Sequence, residues 1–241
     1  MQLDILAFGA HPDDVELSCA GTLMAHIAMG KTVGIIDLTQ GELGTRGTAE
    51  IRLHEAEAAA KLIGAIVREN LNMADGFFTN DKEHQLQIVK IIRKYRPQVV
   101  FANAVTDRHP DHGKGARLVA DACFLAGLTK IETELDGEPQ QAHRPNAIYN
   151  YIQFRQINPD FIVDISGFMD KKMESILAYG SQFYNPASGE PETVISSAHF
   201  IKNVEERASE YGRLIGTRYG EGFTCESKLG ISNVFNLMHV K

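Results

Sequence analysis

The stretch that decides the fold is "LDILAFGAHPDDVELSCAGTL", residues 3–23. It opens on a short apolar run, passes through turn residues at Gly9 to Pro12, and carries a helical pattern from Val15 to about Met29. An apolar strand that runs into a helix is half of a βαβ unit. Three more such pairs follow. "KTVGIIDLT" (31–39) is rich in β-branched residues and precedes the helix formers of "AEIRLHEAEAAAKLIG" (49–64). "VRENLNM" (67–73) precedes "EHQLQIVKIIRKY" (83–95), where Leu86, Val89 and Ile92, and also Ile88, Ile91 and Tyr95, fall at helical spacing. "QVVFANA" (98–104) precedes "GKGARLVADACFLAG" (113–127). This alternation predicts an α/β fold, a parallel sheet with helices on both faces.

Beyond residue 127 the pattern loosens. "AIYNYIQF" (147–154) and "FIVDIS" (161–166) read as strands, and "MDKKMESILAYGSQF" (169–183) as a helix. "NPASGEPET" (185–193) reads as a long, mobile polar loop. A helix follows from about Ala198 to Ile215, then a glycine-rich tail, "GEGFTCESKLG" (220–230). No linker or tandem repeat interrupts the chain, so a single domain over residues 1–241 is expected.

Bulk properties narrow the function. Of 241 residues, 44% are hydrophobic and 23% charged, enough apolar material for a sizeable core. The formal net charge is −7 and no basic stripe is visible, which argues against a nucleic-acid partner. Cys19, Cys123 and Cys225 are odd in number and far apart, as suits thiols in a reducing compartment. No signal-peptide pattern occurs, and no apolar run approaches the roughly 20 residues that span a bilayer. A cytoplasmic protein without membrane contact is expected.

The letters HPDD at 11–14 return as HPDH at 109–112, inside "DRHPDHG". Each motif lies between a strand and a helix. In a parallel sheet all such loops emerge at one edge, where open α/β folds bind ligands. Each proline suits a first helical turn and pushes the histidine before it into an extended conformation. Aspartates after such a proline also cap helix amides, which is the plain structural reading of one motif alone. Two motifs with paired histidines at one edge point instead to a divalent metal bound by His11, Asp14 and His112. Two imidazoles and a carboxylate leave a position for water, as in catalytic zinc sites, although the same set suits iron(II). Asp13, beside Asp14 but pointing elsewhere, is the carboxylate available as general base. His109 is placed to meet an oxyanion or protonate a leaving nitrogen, and Asp111 to orient an imidazole.

With these residues in view, the chain resembles the LmbE-like superfamily of zinc-dependent de-N-acetylases. The likeness rests on "ILAFGAHPDDVELSCAGTL" and "DRHPDHG", and extends to "DLTQGELGTRGT" with Arg52 behind it, to "AYGSQF" and to "YGEGF". It is nearest to the bacillithiol-biosynthesis branch, the N-acetylglucosaminyl-malate deacetylases. The resemblance implies a Rossmann-like, mostly parallel sheet with a C-terminal extension, and one zinc ion per subunit at His11, Asp14 and His112. It also implies Asp13 as base with His109 opposite it, an amino-sugar conjugate as substrate, and a homo-oligomer, often a hexamer. Some relatives bring a C-terminal tyrosine to the oxyanion; here Tyr184, His199 and Phe200 lie in the corresponding region and the role is left unassigned.

Three further residues are expected to contact substrate. Arg52, in the first turn of the helix from Ala49, and Arg108, inside the second motif, can grip the carboxylates of malate. Asp107 can meet a sugar hydroxyl or cap a turn. Glu42 and Arg46 read as ordinary residues of the flexible loop "GELGTRG", and His26, His54, His84, His143 and His239 have no partner at metal spacing. Rival readings are the same chemistry on a chitin-type oligosaccharide or a thiol-conjugate amide, a nucleotide-binding module, and a non-catalytic zinc protein. The first loop reads G-A-H-P-D-D and not GxGxxG, which disfavours the nucleotide module. Asp13 and His109 disfavour the non-catalytic protein, because metal binding alone needs neither.

Overall fold

The computed structural model describes residues 1–237, so His239 lies outside the described residues. The elements are β1 (Ile5–Gly9), α1 (Asp14–Ala28), β2 (Val33–Thr39), α2 (Ala49–Ile63), β3 (Val67–Met73), α3 (Lys82–Tyr95), β4 (Val99–Ala102) and α4 (Pro110–Ala126). After a short hairpin, β5 (Glu134–Leu135) with β6 (Glu138–Pro139), come β7 (Ala147–Tyr151), β8 (Phe161–Asp164), α5 (Met169–Leu177), α6 (Ala198–Ile215) and β9 (Gly220–Thr224). A short 3-10 helix spans Val234–Leu237.

Seven strands form one sheet in the order β3-β2-β1-β4-β7-β9-β8. The first five are parallel, and β9 runs antiparallel to both neighbours. The predicted mostly parallel α/β architecture is therefore observed. Its faces follow from the period of two along each strand. Leu6 and Phe8 of β1, with Ile36, Leu38 and Val100, pack against Ile88, Ile92 and Leu118 of α3 and α4. Ile5 and Ala7, with Val33, Ile35 and Phe101, pack against Val15, Cys19 and Leu23 of α1. Phe8 is fully buried, and truncation of such a side chain to alanine costs about 3–5 kcal/mol.

Three boundaries differ from the sequence reading. Helix α4 begins at Pro110, not 113, because His109 is extended (φ −81°, ψ 129°) and accepts the Asp111 amide on Nδ1 at 3.3 Å. Helix α5 ends at Leu177, not 183. The chain turns there so that Tyr179 and Phe183 join Leu17, Ala59 and Phe200 in a buried cluster. The start of the glycine-rich tail is a strand, β9, inserted between β7 and β8. Its glycines are needed for close approach: a Cβ on Gly220 would stand 2.6 Å from Ile162 Cγ2, and one on Gly222 would stand 3.0 Å from the Tyr211 ring. Glu221, between them, accepts the amides of Gly21 (3.1 Å) and Thr22 (2.7 Å) and pairs with Lys172 Nζ at 2.5 Å. The tail thereby joins β9 to α1 and α5.

The strand order reverses between β1 and β4. The chain builds outward from β1 through β2 to β3, then returns to the other side of β1 to lay down β4. HPDD follows β1 and HPDH follows β4, so both motifs stand at this switch point.

Candidate active site

Loops at the carboxyl ends of β1 to β4 surround a cleft of about 960 Å³. His11, Asp13, Asp14, Arg52, Arg108, His109 and His112 line it. Two motifs nearly a hundred positions apart thus meet because two parallel strands are neighbours.

In HPDD the two aspartates part company. Asp13 sits at φ 110°, in the left-handed region, a conformation that costs a non-glycine residue on the order of 1–3 kcal/mol and persists only where neighbours fix it. Arg52 does so. Its guanidinium donates to the Pro12 carbonyl (2.5 Å), to Asp13 Oδ2 (3.1 Å) and to the Gly41 carbonyl (3.2 Å). Gly41 allows this reach, because a Cβ there would stand 1.9 Å from Arg52 Nη1. Burial, with the nearby Asp14 charge, pushes the Asp13 carboxyl up to about 7, against the pull of Arg52. That places a proton acceptor near neutrality.

Asp14 turns the other way. Its Oδ1 lies 3.2 Å from His112 Nε2 and accepts from Gln153 Nε2 (2.6 Å), while its Oδ2 accepts from Asn103 Nδ2 (2.9 Å) and the His11 amide (3.0 Å). Oδ2 also lies 3.6 Å from His11 Nδ1. Burial opposes its ionisation, but His112 and His11 outweigh burial and hold it well below the usual carboxylate range.

Both proposed metal-binding imidazoles are backed by carboxylates. His112 Nδ1 bonds Asp107 Oδ2 at 2.6 Å. His11 Nε2 lies 3.0 Å from Asp75 Oδ1 and 3.4 Å from Asp111 Oδ2. Burial works against a charged His112, yet Asp14 and the Asp107 bond carry it up to about 9. His109 goes the other way: burial, then the two neighbouring imidazoles, lowers it. Its Nδ1 already accepts an amide, which leaves Nε2 for the cleft.

Two expected contacts are redirected. Asp107, read as a partner for a sugar hydroxyl, faces the protein: besides His112 it accepts the amides of Arg108 and Arg155, each at 2.8 Å. Each imidazole thus has its own carboxylate: Asp107 stands behind His112, and Asp111, expected to orient an imidazole, lies 3.4 Å from His11 Nε2 beside Asp75. Asp111 itself is fully buried behind His11, bonded by the Gly76 amide (2.7 Å) and paired with Lys114 (2.5 Å). Arg52, read as a grip for substrate carboxylate, has its guanidinium committed to the HPDD loop. Arg108 is exposed at the cleft, 5.1 Å above the Phe154 ring.

Four site residues escaped the sequence reading. Asp75 follows β3 at the same sheet edge, and its Asp-Gly turn after a strand was the available signal. Asn103 and Gln153, just beyond β4 and β7, hold Asp14. Arg46 lines the cleft at 5% exposure, with Nε and Nη2 free of hydrogen bonds among the described residues and Glu190 3.6 Å away. Of the C-terminal residues left unassigned, Tyr184, His199 and Phe200 do not line the cleft; Glu192, Thr193, Val194, Ile195 and Ser197 do.

Two groups of side chains among the described residues could hold a metal ion, His11 with His109 and His112, and His11 with Asp75 and Asp111. The expected set is not one of these groups; His11, Asp14 and His112 are nonetheless buried, with Asp14 3.6 Å from His11 Nδ1 and 3.2 Å from His112 Nε2. Each imidazole has its outer nitrogen occupied by a carboxylate, which presents the other nitrogen for coordination. His109 belongs to the same cluster: ring nitrogens of His11, His109 and His112 lie within 4.8 Å of one another. Among the described residues no helix is long and apolar enough to cross a membrane.

Comparison with known proteins agrees with this geometry. Residues 6–123, which contain both motifs, match the family model described as PIG-L, GlcNAc-PI de-N-acetylase. The chain is 28% identical to diacetylchitobiose deacetylase from Thermococcus kodakarensis, over 90% of this chain and 81% of that one. The crystal structure of a conserved protein from Thermus thermophilus superposes with a TM-score of 0.85 at 34% identity, covering 96% of this chain and 98% of the other. That of N,N'-diacetylchitobiose deacetylase from Pyrococcus horikoshii, solved with an inhibitor, gives 0.79 at 28% identity, covering 91% and 82%. A strained aspartate stands beside a buried His–Asp cluster at the switch point of a sheet shared with these proteins, and the chain belongs to the PIG-L/LmbE-like superfamily of deacetylases.

Proposed function

We propose that the protein removes the acetyl group of N-acetylglucosaminyl-malate, the deacetylation step of bacillithiol biosynthesis, with zinc held by His11, Asp14 and His112. When bound there, the ion would acidify a water and polarise the acetamide carbonyl. Asp13 takes the water's proton, from a position fixed by Arg52 and a carboxyl whose affinity for protons is raised by burial. Asp13 then passes that proton to the departing amine, while His109, whose Nδ1 accepts the Asp111 amide, donates a hydrogen bond through Nε2–H to the carbonyl oxygen as charge gathers there. Asp107 and Asp75 hold the two imidazoles in orientation.

One observation carries the choice of substrate: of the three arginines that line the cleft of a protein of net charge −7, two, Arg46 and Arg108, are not committed to the HPDD loop. Arg46 meets only the half-exposed Glu190, at 3.6 Å, and Arg108 has no ion pair among the described residues. A dianionic malate is the aglycone that such a pair of cations favours. A second reading, deacetylation of a chitin-type disaccharide, draws on the relatives from Thermococcus and Pyrococcus and on a cleft of about 960 Å³, roomy enough for two sugar rings. Comparing kcat/KM for N-acetylglucosaminyl-malate, N,N'-diacetylchitobiose and free N-acetylglucosamine tests the two. Preference for the malate conjugate that collapses in Arg108→Ala and Arg46→Ala supports the first. Preference for the disaccharide, unchanged in both variants, supports the second.

A further inference from the structure

Behind the cleft, α6 and the segment after β7 enclose a second cavity of about 350 Å³. The two share no lining residue, but a small crevice between them is lined by Arg108, His109 and His112 on one side and by Phe154, Phe200 and Arg207 on the other. The wall of the second cavity is apolar, from Phe154, Phe200 and Val204, and two polar groups stand in it, Arg207 and Tyr211. Both groups lack partners. Among the described residues, the Arg207 guanidinium makes no hydrogen bond and no ion pair, although the side chain is partly buried on α6. The Tyr211 hydroxyl is buried and likewise without a hydrogen bond. Asp107 and Glu221 act on the Arg207 guanidinium only at a distance, with neither in hydrogen-bond or ion-pair contact, so its donors are free for a complementary ligand.

The cavity's two carboxylates do not supply the counter-charge. Glu206 is exposed and pairs with Lys202 at 3.4 Å, and Glu210 is exposed and pairs with Arg213 at 2.8 Å. The vacant chemistry is thus one cation, one phenolic donor one helical turn away, and an aromatic wall. We propose that this cavity is a second binding site, for a small carboxylate with an apolar or aromatic body, its carboxylate on Arg207 and Tyr211 and its body against Phe154, Phe200 and Val204. The volume exceeds what acetate alone would fill and suits a ligand of about ten heavy atoms. The inference does not rest on the reaction proposed for the cleft.

Phenylacetate and its neutral isostere phenylacetamide are the probes, titrated calorimetrically into the metal-loaded protein. Phenylacetate is expected to bind, phenylacetamide about 10- to 100-fold more weakly, because only the acid makes charge-assisted hydrogen bonds. Arg207→Gln should weaken phenylacetate by a similar factor, Arg207→Lys should restore part of it, and Arg46→Gln, in the cleft and clear of this cavity, should leave it unchanged. Tyr211→Phe removes only the hydroxyl and should weaken the acid more than the amide. Should Arg207→Gln fail to fold, as judged by its thermal midpoint, the acid–amide comparison and Tyr211→Phe decide. Equal affinity for acid and amide, absence of binding, or phenylacetate binding that survives Arg207→Gln and falls in Arg46→Gln overturns the proposal.

Discussion

Arg52 Nη2 lies 3.1 Å from Asp13 Oδ2, both side chains are buried, and the same nitrogen holds the carbonyl of Pro12. The arginine therefore fixes both the carboxylate and the left-handed backbone that carries it. Arg52→Ala is expected to lower kcat on every acetamide substrate by on the order of 10–100-fold, with little change in KM, since a charge-assisted bond is worth about 1.5–3 kcal/mol. Gly41→Ala should mimic it by displacing the guanidinium. A loss confined to malate-linked substrate, measured as separate kcat and KM values, would return Arg52 to substrate binding.

Asp13→Asn keeps the buried shape but cannot accept the water's proton. Activity should fall by about 10²–10⁴-fold with the metal content intact. His112→Ala or Asp14→Ala should lose metal and activity together. Metal analysis of purified variants beside an acetate-release assay separates the two behaviours. Full metal occupancy in His112→Ala would dismiss the ligand set.

Asp107 touches no substrate in this arrangement; it holds His112 through Nδ1. Asp107→Ala should weaken metal affinity by about 10–100-fold, the usual cost of removing a carboxylate behind a ligand. Zinc competition with a chromophoric chelator reads this directly. Unchanged zinc affinity with a raised KM would instead make Asp107 a sugar contact.

Far from the site, Asp81 caps α3, accepting the His84 amide at 3.1 Å and facing His84 Nδ1 at 2.9 Å. The Thr79 hydroxyl, the His84 amide and the His84 ring hold its carboxyl below the usual range. A depressed folded-state pKa means that the ionised cap stabilises the fold above the unfolded value of about 4, and that this stability is lost as pH falls below it. Asp81→Ala should therefore lower the thermal midpoint at pH 7, and the gap to the unaltered protein should begin to narrow below about pH 4 and close only as pH passes through the depressed folded-state value. A gap independent of pH would show that the charge contributes nothing.

The sequence by itself determined the parallel sheet and the meeting of HPDD with HPDH. Strand–helix alternation fixes the handed crossovers, and the crossovers put every strand-to-helix loop at one edge. Proline before each aspartate, and histidine before each proline, also made the local geometry legible: His109 is extended and Pro110 opens α4. Tertiary structure decided what sequence spacing cannot encode. Arg46 and Arg52 stand close together on one loop and the helix after it, yet Arg52 passes against Gly41, where a Cβ would clash, to reach Asp13, while Arg46 lines the cleft. Asp107 and Asp111 are equally acidic and both close to His112 in sequence. The turn before α4 points Asp107 at His112, and the first helical turn points Asp111 at His11 and Gly76. β9 was hidden for the same reason: glycine is a poor strand former in isolation, and only the close approach of Ile162 and Tyr211 makes it the one residue that fits.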